Sequence, residues 1–353
     1  MENHHPKMNF LYAVCIDSSY KLLGFSTIQV FDFSFDSLEN DWQNITKRIA
    51  YYARRFGIIP KQKPLRILNC GLPFVSGNHG VYLHPSSDKK KVLKKLIKTI
   101  HKYSIQEFQS NPIDIFIVKD FTKEDLVTTN ELISLGYYAF NVEPNMTMKI
   151  NSDWKTLADY LRALKTKFRV KAKKALELSK DLEIRDLNKD SIESELQEMT
   201  LLYKKVTSKA GFNLVDFELK SYNSLLVKLD DSYFVKTYRY KGKLVGFSSG
   251  VIHNNSLDAH FVGIDYSLNR KLAIYQRMLY DYILLGIEKK VSSLNFGRTA
   301  SEIKSSVGAE PEHLTIYIRH KKSIKNKFLK LFLYRIQPSE FNQKFAFKKV
   351  VRE

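Results

Sequence analysis

Residues 257–310 constrain this 353-residue chain more than any other stretch: LDAHFVGIDYSLNRKLAIYQRMLYDYILLGIEKKVSSLNFGRTASEIKSSVGAE. Alternating apolar residues up to Asp265 predict a strand. Helical spacing follows over 271–290, then a short strand at 292–296, a Gly-Arg turn and a helix at 299–307. This order sets the loop before the long helix at the C-terminal end of a strand, which is where open α/β sheets bind ligands. The segment therefore predicts both a sheet with helices on its faces and a site at that sheet's edge.

The flanking sequence supplies the rest of such a sheet, and a second one. Residues 10–17 and 21–32 predict a hairpin, and residues 37–55 a helix capped by Ser37 and stopped by Gly57. A buried strand at 65–70, a basic amphipathic helix ending near Phe108 and an inner strand at 113–119 come next. A helix at 122–135 opens on a capping-box pattern at Thr122 and stops at Gly136, and strands at 137–142 and 145–150 close the first unit. After residue 181 the plan repeats. A strand at 182–187 and helices at 191–209 and 216–229 lead into a meander at 233–240, 243–253 and 257–265, turning at Lys241-Gly242 and Asn254-Asn255. A last strand is expected at 313–319. The expected class is α/β with mixed (α+β) sheets. The expected division is a first unit over 1–150, a basic bridging helix over 151–180, and a second unit over 181–353 that carries the site.

Charge narrows the partners. The formal net charge is +20 and the isoelectric point about 9.6, which points to nucleic acid, an acidic membrane surface or a phosphorylated substrate. Much of it is concentrated in Lys165, Lys167, Arg169, Lys171, Lys173 and Lys174, while Phe168, Ala172, Ala175 and Leu176 keep an apolar stripe, so the basic run is helical. Two cysteines, Cys15 and Cys70, lie in apolar strand-like runs, which favours a reducing compartment over a disulfide framework. Nothing in the Cys and His spacing suggests zinc, and no metal is expected. The start, MENHHPKMNF, has no signal-peptide pattern, and no apolar run is long enough to span a bilayer. The expectation is a cytoplasmic protein with at most peripheral contact at the inner membrane face.

The element order of the second unit resembles the GNAT fold. WKTLADYLRALKTKFRVKAKKALE resembles the signature that precedes the C-terminal domain of Fem-like proteins, and SLNFGRTASEIKSSVGAE is similar to the strand–turn–helix that closes their acceptor site. That group includes the peptidoglycan interpeptide-bridge aminoacyltransferases and related N-acyltransferases. The resemblance implies two tandem GNAT-like domains, the first a scaffold. It implies transfer of an acyl group from a thioester (an acyl-CoA) or an aminoacyl ester (an aminoacyl-tRNA) to an amine on an anionic small-molecule or lipid-linked acceptor, with no tightly bound cofactor. One motif departs from the pattern. Acetyl-CoA-using members carry Gln/Arg-x-x-Gly-x-Gly/Ala before the long helix, where glycines let backbone N–H groups reach a pyrophosphate. Here the stretch reads Asn269-Arg270-Lys271-Leu272-Ala273-Ile274-Tyr275, without glycine.

Candidate residues follow from the chemistry. Acyl transfer to an amine needs a base and a stabilised oxyanion. His260 is a candidate base because imidazole titrates near neutrality, though strand alternation leaves its face open. Asp265 could orient an amine or simply end the strand. Backbone N–H groups near 261–265 are candidate oxyanion donors. Arg270 and Lys271 could hold a donor phosphate, with Tyr275 and Gln276 lining the slot. Gly297 permits close approach, Arg298 could clamp a phosphate or carboxylate, and Thr299 could cap the helix. Glu302 and Lys304 follow, and the resemblance assigns Lys304 to the acceptor. The basic helix could guide a tRNA or meet an acidic membrane, as could the tail through Ile324, Phe328, Leu331 and Phe332. The competing class is a non-catalytic GNAT-like shell that binds RNA or membrane.

Overall fold

The computed structural model describes residues 2–33, 64–209, 215–333 and 340–348. The helix expected over 37–55, with its Gly57 stop, lies outside these residues. The first unit runs β1 (Met8–Ile16), β2 (Leu22–Phe33), β3 (Leu65–Cys70), β4 (Val81–Leu83), α1 (Lys89–Glu107), β5 (Ile115–Phe121), α2 (Leu126–Thr129) and β6 (Tyr138–Asn141). Then come β7 (Asn145–Lys149), α3 (Leu157–Ala163), α4 (Thr166–Leu178), β8 (Glu183–Leu187), α5 (Ile192–Thr207) and α6 (Ser221–Leu229). The rest is β9 (Tyr233–Tyr240), β10 (Lys243–His253), β11 (Ser256–Ile264), α7 (Tyr266–Leu272), α8 (Ile274–Glu288), β12 (Ser293–Asn295), α9 (Ser301–Ser306), β13 (Glu310–Glu312), β14 (Thr315–His320) and α10 (Ser323–Leu333).

Two mixed sheets form, in the orders β1-β2-β3-β5-β14-β6, with β4 on β2, and β13-β7-β12-β11-β10-β9-β8. Among the described residues each contains one parallel pair, β3–β5 in the first and β11–β12 in the second, and every other pairing is antiparallel. The units exchange strands. β7, expected to close the first unit, pairs with β12 in the second sheet, and β14, expected to close the second, pairs with β5 in the first. Strand alternation sets which face of a strand is apolar and does not choose between two sheets of similar composition. The physical tie is strong, because neither sheet is complete without the other half of the chain.

Four apolar clusters form among the described residues, and three of them hold most of the layers. Leu93, Leu96, Ile97 and Ile100 of α1 cover one face of the first sheet with Val30, Leu68 and Val118. Tyr280, Ile283 and Ile287 of α8 cover the far face of the second with Met146, Leu294 and the Phe168–Ala172–Ala175 stripe of α4. The largest cluster spans both units: Phe31, Ile67, Phe74 and Ile115 meet Met199, Phe217, Tyr222, Val235 and Phe247. At about 1.5–3 kcal/mol for each fully buried large apolar side chain, this shared core joins the units into one body.

Four local expectations change. Asp125 accepts from both the N–H and hydroxyl of Thr122, closing a turn there, so α2 begins only at Leu126 and passes into a 3-10 turn before Gly136. The bridging helix divides at Leu164, which is extended. The segment 340–348 crosses at that point, with Lys165 N–H donating to Ala346 O and Lys348 N–H to Ala163 O. The long helix breaks at Ala273 (φ +47°) into α7 and α8. Thr299 and Ala300 are both left-handed (φ +66° and +49°), so Thr299 does not cap a helix and α9 starts at Ser301.

Candidate active site beside the second sheet's parallel pair

β11 and β12 pair in parallel only from Ser256–Ser293 to Asp258–Asn295 and then part. The chain leaving β12 turns through Phe296 and Gly297 into Arg298 and α9. Phe296 N–H donates to Met146 O and Met146 N–H to Gly297 O, so the borrowed strand β7 holds the turn. Asn295 locks it from inside, accepting Gly297 N–H at 2.9 Å and donating to Ser76 O of the first unit at 3.0 Å.

Lys304 is buried in this turn. It is 3% exposed, and Nζ donates to Gly297 O at 3.1 Å and Arg298 O at 2.7 Å. It has no carboxylate partner among the described residues. Burial lowers its pKa to about 7, because an ammonium removed from water without a counter-charge favours the neutral amine. Neutral Lys304 can give one N–H to each carbonyl and keep its lone pair. Charged, it has a third donor.

Arg298 is committed across the unit boundary. Its Nη2 meets Asp120 Oδ1 at 2.5 Å and its Nε donates to Glu143 O. Asp120, at the end of β5, is fully buried and also pairs with Lys119 at 2.5 Å, and its Oδ2 accepts Gly77 N–H. Burial alone would raise its pKa, but the Lys119 and Arg298 charges outweigh that and hold the carboxyl below its ordinary range. Glu302 points the other way from Lys304, is exposed, and pairs with Lys344. The turn thus brings Arg298 and Lys304 together and sends Glu302 to solvent.

The strand residues sit elsewhere. His260 is boxed by Phe217, Tyr222, Tyr233 and Phe261. Its Nδ1 meets Tyr233 Oη at 2.6 Å, and its Nε2 is buried without a hydrogen-bond partner among the described residues. Burial pulls its pKa to about 3, so the ring is neutral and too weak a base for the role the sequence suggested. Asp265 caps α7, accepting from Ser267 N–H and hydroxyl, and these bonds hold its pKa down. It also faces Lys205 and Lys243 in a cleft of about 630 Å³. The expected oxyanion donors are partly taken: β10 and β11 bulge at Ser249, whose hydroxyl accepts Phe261 N–H, while Asp265 N–H donates to Val245 O.

At the donor end, Arg270 and Lys271 are exposed. Tyr275 is partly buried, which pushes its phenol pKa up. Its N–H is bonded to Asn269 Oδ1 at 2.9 Å. An amide that would face a pyrophosphate in a glycine loop is occupied by a side chain. Lys165 just before α4 and Lys167, Lys171, Lys173 and Lys174 on it are exposed, Arg169 is partly so, and none forms an ion pair among the described residues. On α10, Ile324, Phe328 and Leu331 face solvent while Leu329 and Leu333 enter the shared core. No helix among the described residues is long and apolar enough to cross a membrane.

Sequence reasoning missed Asp120, Gly77, His79, His253 and Asp258. A signal existed for the first: two charges, Lys119-Asp120, end an otherwise apolar strand, where an unpaired charge would be costly.

No family model matches the sequence, and no curated protein matches it. Solved structures do match. The L-PGS structure from Bacillus licheniformis aligns at TM-score 0.54 and 11% identity, covering 94% of this chain and 90% of that one. FemX aligns at 0.53 and 10% identity, covering 88% of each. A tandem GNAT protein from the clavulanic acid biosynthesis pathway aligns at 0.52 and 9%, covering 89% and 84%. The fold is therefore that of the tandem GNAT proteins, with two mixed sheets.

Proposed function

We propose that the chain is an N-acyl or aminoacyl transferase whose site is the Gly297–Lys304 turn and α9. The observation that carries this reading is Lys304. Acyl transfer to an amine needs a group that exchanges a proton near neutrality or supplies positive charge where an oxyanion develops. A buried lysine with a pKa of about 7 can do either. Arg298, fixed by Asp120, supports the turn that carries the two carbonyls, so it acts as a positioning residue. The first unit then works as a scaffold that supplies Asp120.

The donor reading leans toward an aminoacyl ester. Asn269 occupies the Tyr275 amide and no glycine opens the loop, which disfavours a pyrophosphate cradle of the acetyl-CoA kind. The exposed cations of α4 offer contacts to an RNA donor or to an anionic, lipid-linked amine acceptor. Purified protein incubated with labelled acyl-CoAs and aminoacyl-tRNAs, with small amines and anionic amino-lipids as acceptors, should transfer label from the aminoacyl ester. Lys304→Met should cut that rate by roughly 10²–10⁴. Ligand binding with no transfer from either donor class, unchanged in Lys304→Met, would replace this reading with a non-catalytic RNA- or membrane-binding shell.

A further inference from the structure

Asp258 occupies the last paired position of β11 against β12, where the parallel strands part. It is 3% exposed. Its Oδ2 lies 2.7 Å from His253 Nε2 and 3.4 Å from His79 Nε2. The first contact is made within the β10–β11 hairpin. Asp258 stands opposite Val251, and His253 is two residues further along β10, so both side chains leave the same face. The second contact comes from the other unit. His79 sits in the loop between β3 and β4, and its ring lies against Gly77 (φ +119°), where a Cβ would come within 2.9 Å of Nε2. The two imidazoles meet edge to face with centroids 5.2 Å apart. All three ligand-type atoms lie within 4.8 Å of one another.

We propose that His79, His253 and Asp258 bind a divalent first-row transition-metal ion that clasps the two units where β11 and β12 separate. The donor set is the reason for the class. Two imidazoles and one carboxylate suit Zn²⁺, Co²⁺ or Fe²⁺, whereas Mg²⁺ and Ca²⁺ take oxygen ligands. The spacing agrees as well. Bonds of about 2.0–2.2 Å in a tetrahedral site put neighbouring ligand atoms roughly 3.3–3.5 Å apart. The His79–Asp258 separation of 3.4 Å already matches. The His253–Asp258 hydrogen bond must open by somewhat over half an ångström, and His253, with its side chain 34% exposed, has the room to swing. Three protein ligands leave at least one position for water or an anionic oxygen. Gly77 also donates its N–H to Asp120, so the same loop touches the metal-type cluster and the Asp120–Arg298 pair. The proposal stands whether or not the chain transfers acyl groups.

The test uses the full chain freed of metal by chelation and titrated near neutral pH with Co²⁺, read by its visible absorption, and with Zn²⁺, read by calorimetry and melting temperature. One equivalent should bind, Zn²⁺ should bleach the Co²⁺ spectrum, and the melting temperature should rise with metal concentration. His253→Ala and His79→Ala should each weaken binding at least 10- to 100-fold, since even losses in a metal's outer shell do so. His84→Ala should not change it. His253 is partly exposed, so the melting temperature of metal-free His253→Ala reports separately whether that variant folds. No binding, or binding that persists in folded His253→Ala and in His79→Ala, overturns the proposal and leaves the cluster a purely hydrogen-bonded joint.

Discussion

Each unit buries a lysine beside its parallel strand pair, and the two are handled differently. In the first, Lys119 follows the last β3–β5 register pair, donates to Leu72 O and Val75 O, and pairs with Asp120. Its alkyl chain packs where a Cβ on Gly71 would come within 2.4 Å, so the gap between the parting strands is filled. In the second, Lys304 also donates to two carbonyls but has no carboxylate partner among the described residues. Burial lowers both pKa values, and only Lys119 has a neighbouring anion that pushes back. A buried charge persists when it is paired and titrates when it is not. The first unit is thus closed by an ion pair, while the second keeps a group that changes protonation near neutral pH.

Removing the pairing should give the largest effect. Asp120→Ala leaves buried Lys119 and half-buried Arg298 without their shared anion and should cost about 3–5 kcal/mol in urea unfolding. A loss below about 1 kcal/mol would mean the pair does not join the units. Lys304→Met should change stability near pH 7 by only about 1 kcal/mol, because it exchanges two hydrogen bonds for relief of a buried cation. The contrast between these two variants is the sharpest check on the comparison.

The pH dependence separates the lysines further. Unfolded Lys304 stays protonated up to its ordinary 10.5, while the folded form loses its proton above about 7. Between those values the unfolded state binds the extra proton, so stability should rise with pH by up to about 1.4 kcal/mol per unit from this group. Urea midpoints at pH 7, 8 and 9 should show that rise in the wild type and a smaller one in Lys304→Met. Equal slopes would remove the unpaired lysine from the account.

Acid should act on both units. Burial lowers His5, His101 and His320 to about 4 and His260 to about 3. Each prefers the neutral form when folded, so the stability it supports is complete above 6.5 and is lost as pH falls toward those values, by up to about 1.4 kcal/mol per unit each. His260→Phe should flatten part of this loss in the second unit, and His101→Phe part in the first. The smallest effect belongs to the surface. Reversing Lys171 and Lys174 to Glu should leave stability within about 0.5 kcal/mol, yet lower the salt slope of tRNA binding by about 0.7–0.9 per lost phosphate contact.

Much of the fold was legible because it rests on local patterns. The meander 233–265, the strand 65–70 and the amphipathic helix ending near Phe108 follow from apolar spacing and turn residues, and they appear as β9–β11, β3 and α1. The Gly297–Lys304 turn was legible as a place, because a Gly-Arg step between a strand and a helix is a local signal. What it does was not legible. Glu302 and Lys304 are near neighbours in the sequence, and only packing sends one to solvent and the other inside. His260 shows the reverse case. A strand histidine near neutrality looks like a base until Phe217 and Tyr222, brought in by the segment between α5 and β9, desolvate it.

By itself the sequence determined the types of the meander strands and of the amphipathic helices, the tandem plan, the basic face of α4 and the lack of a glycine loop before α8, because local patterns carry them. Tertiary structure alone decided that β7 and β14 change places, that Asp120 serves Arg298, and that His79 reaches His253 and Asp258. It also decided that Lys304 is left without an anion. The reason is common to all four: burial and Coulomb energy depend on distance in space and not along the chain, and in the first three the groups concerned come from opposite units.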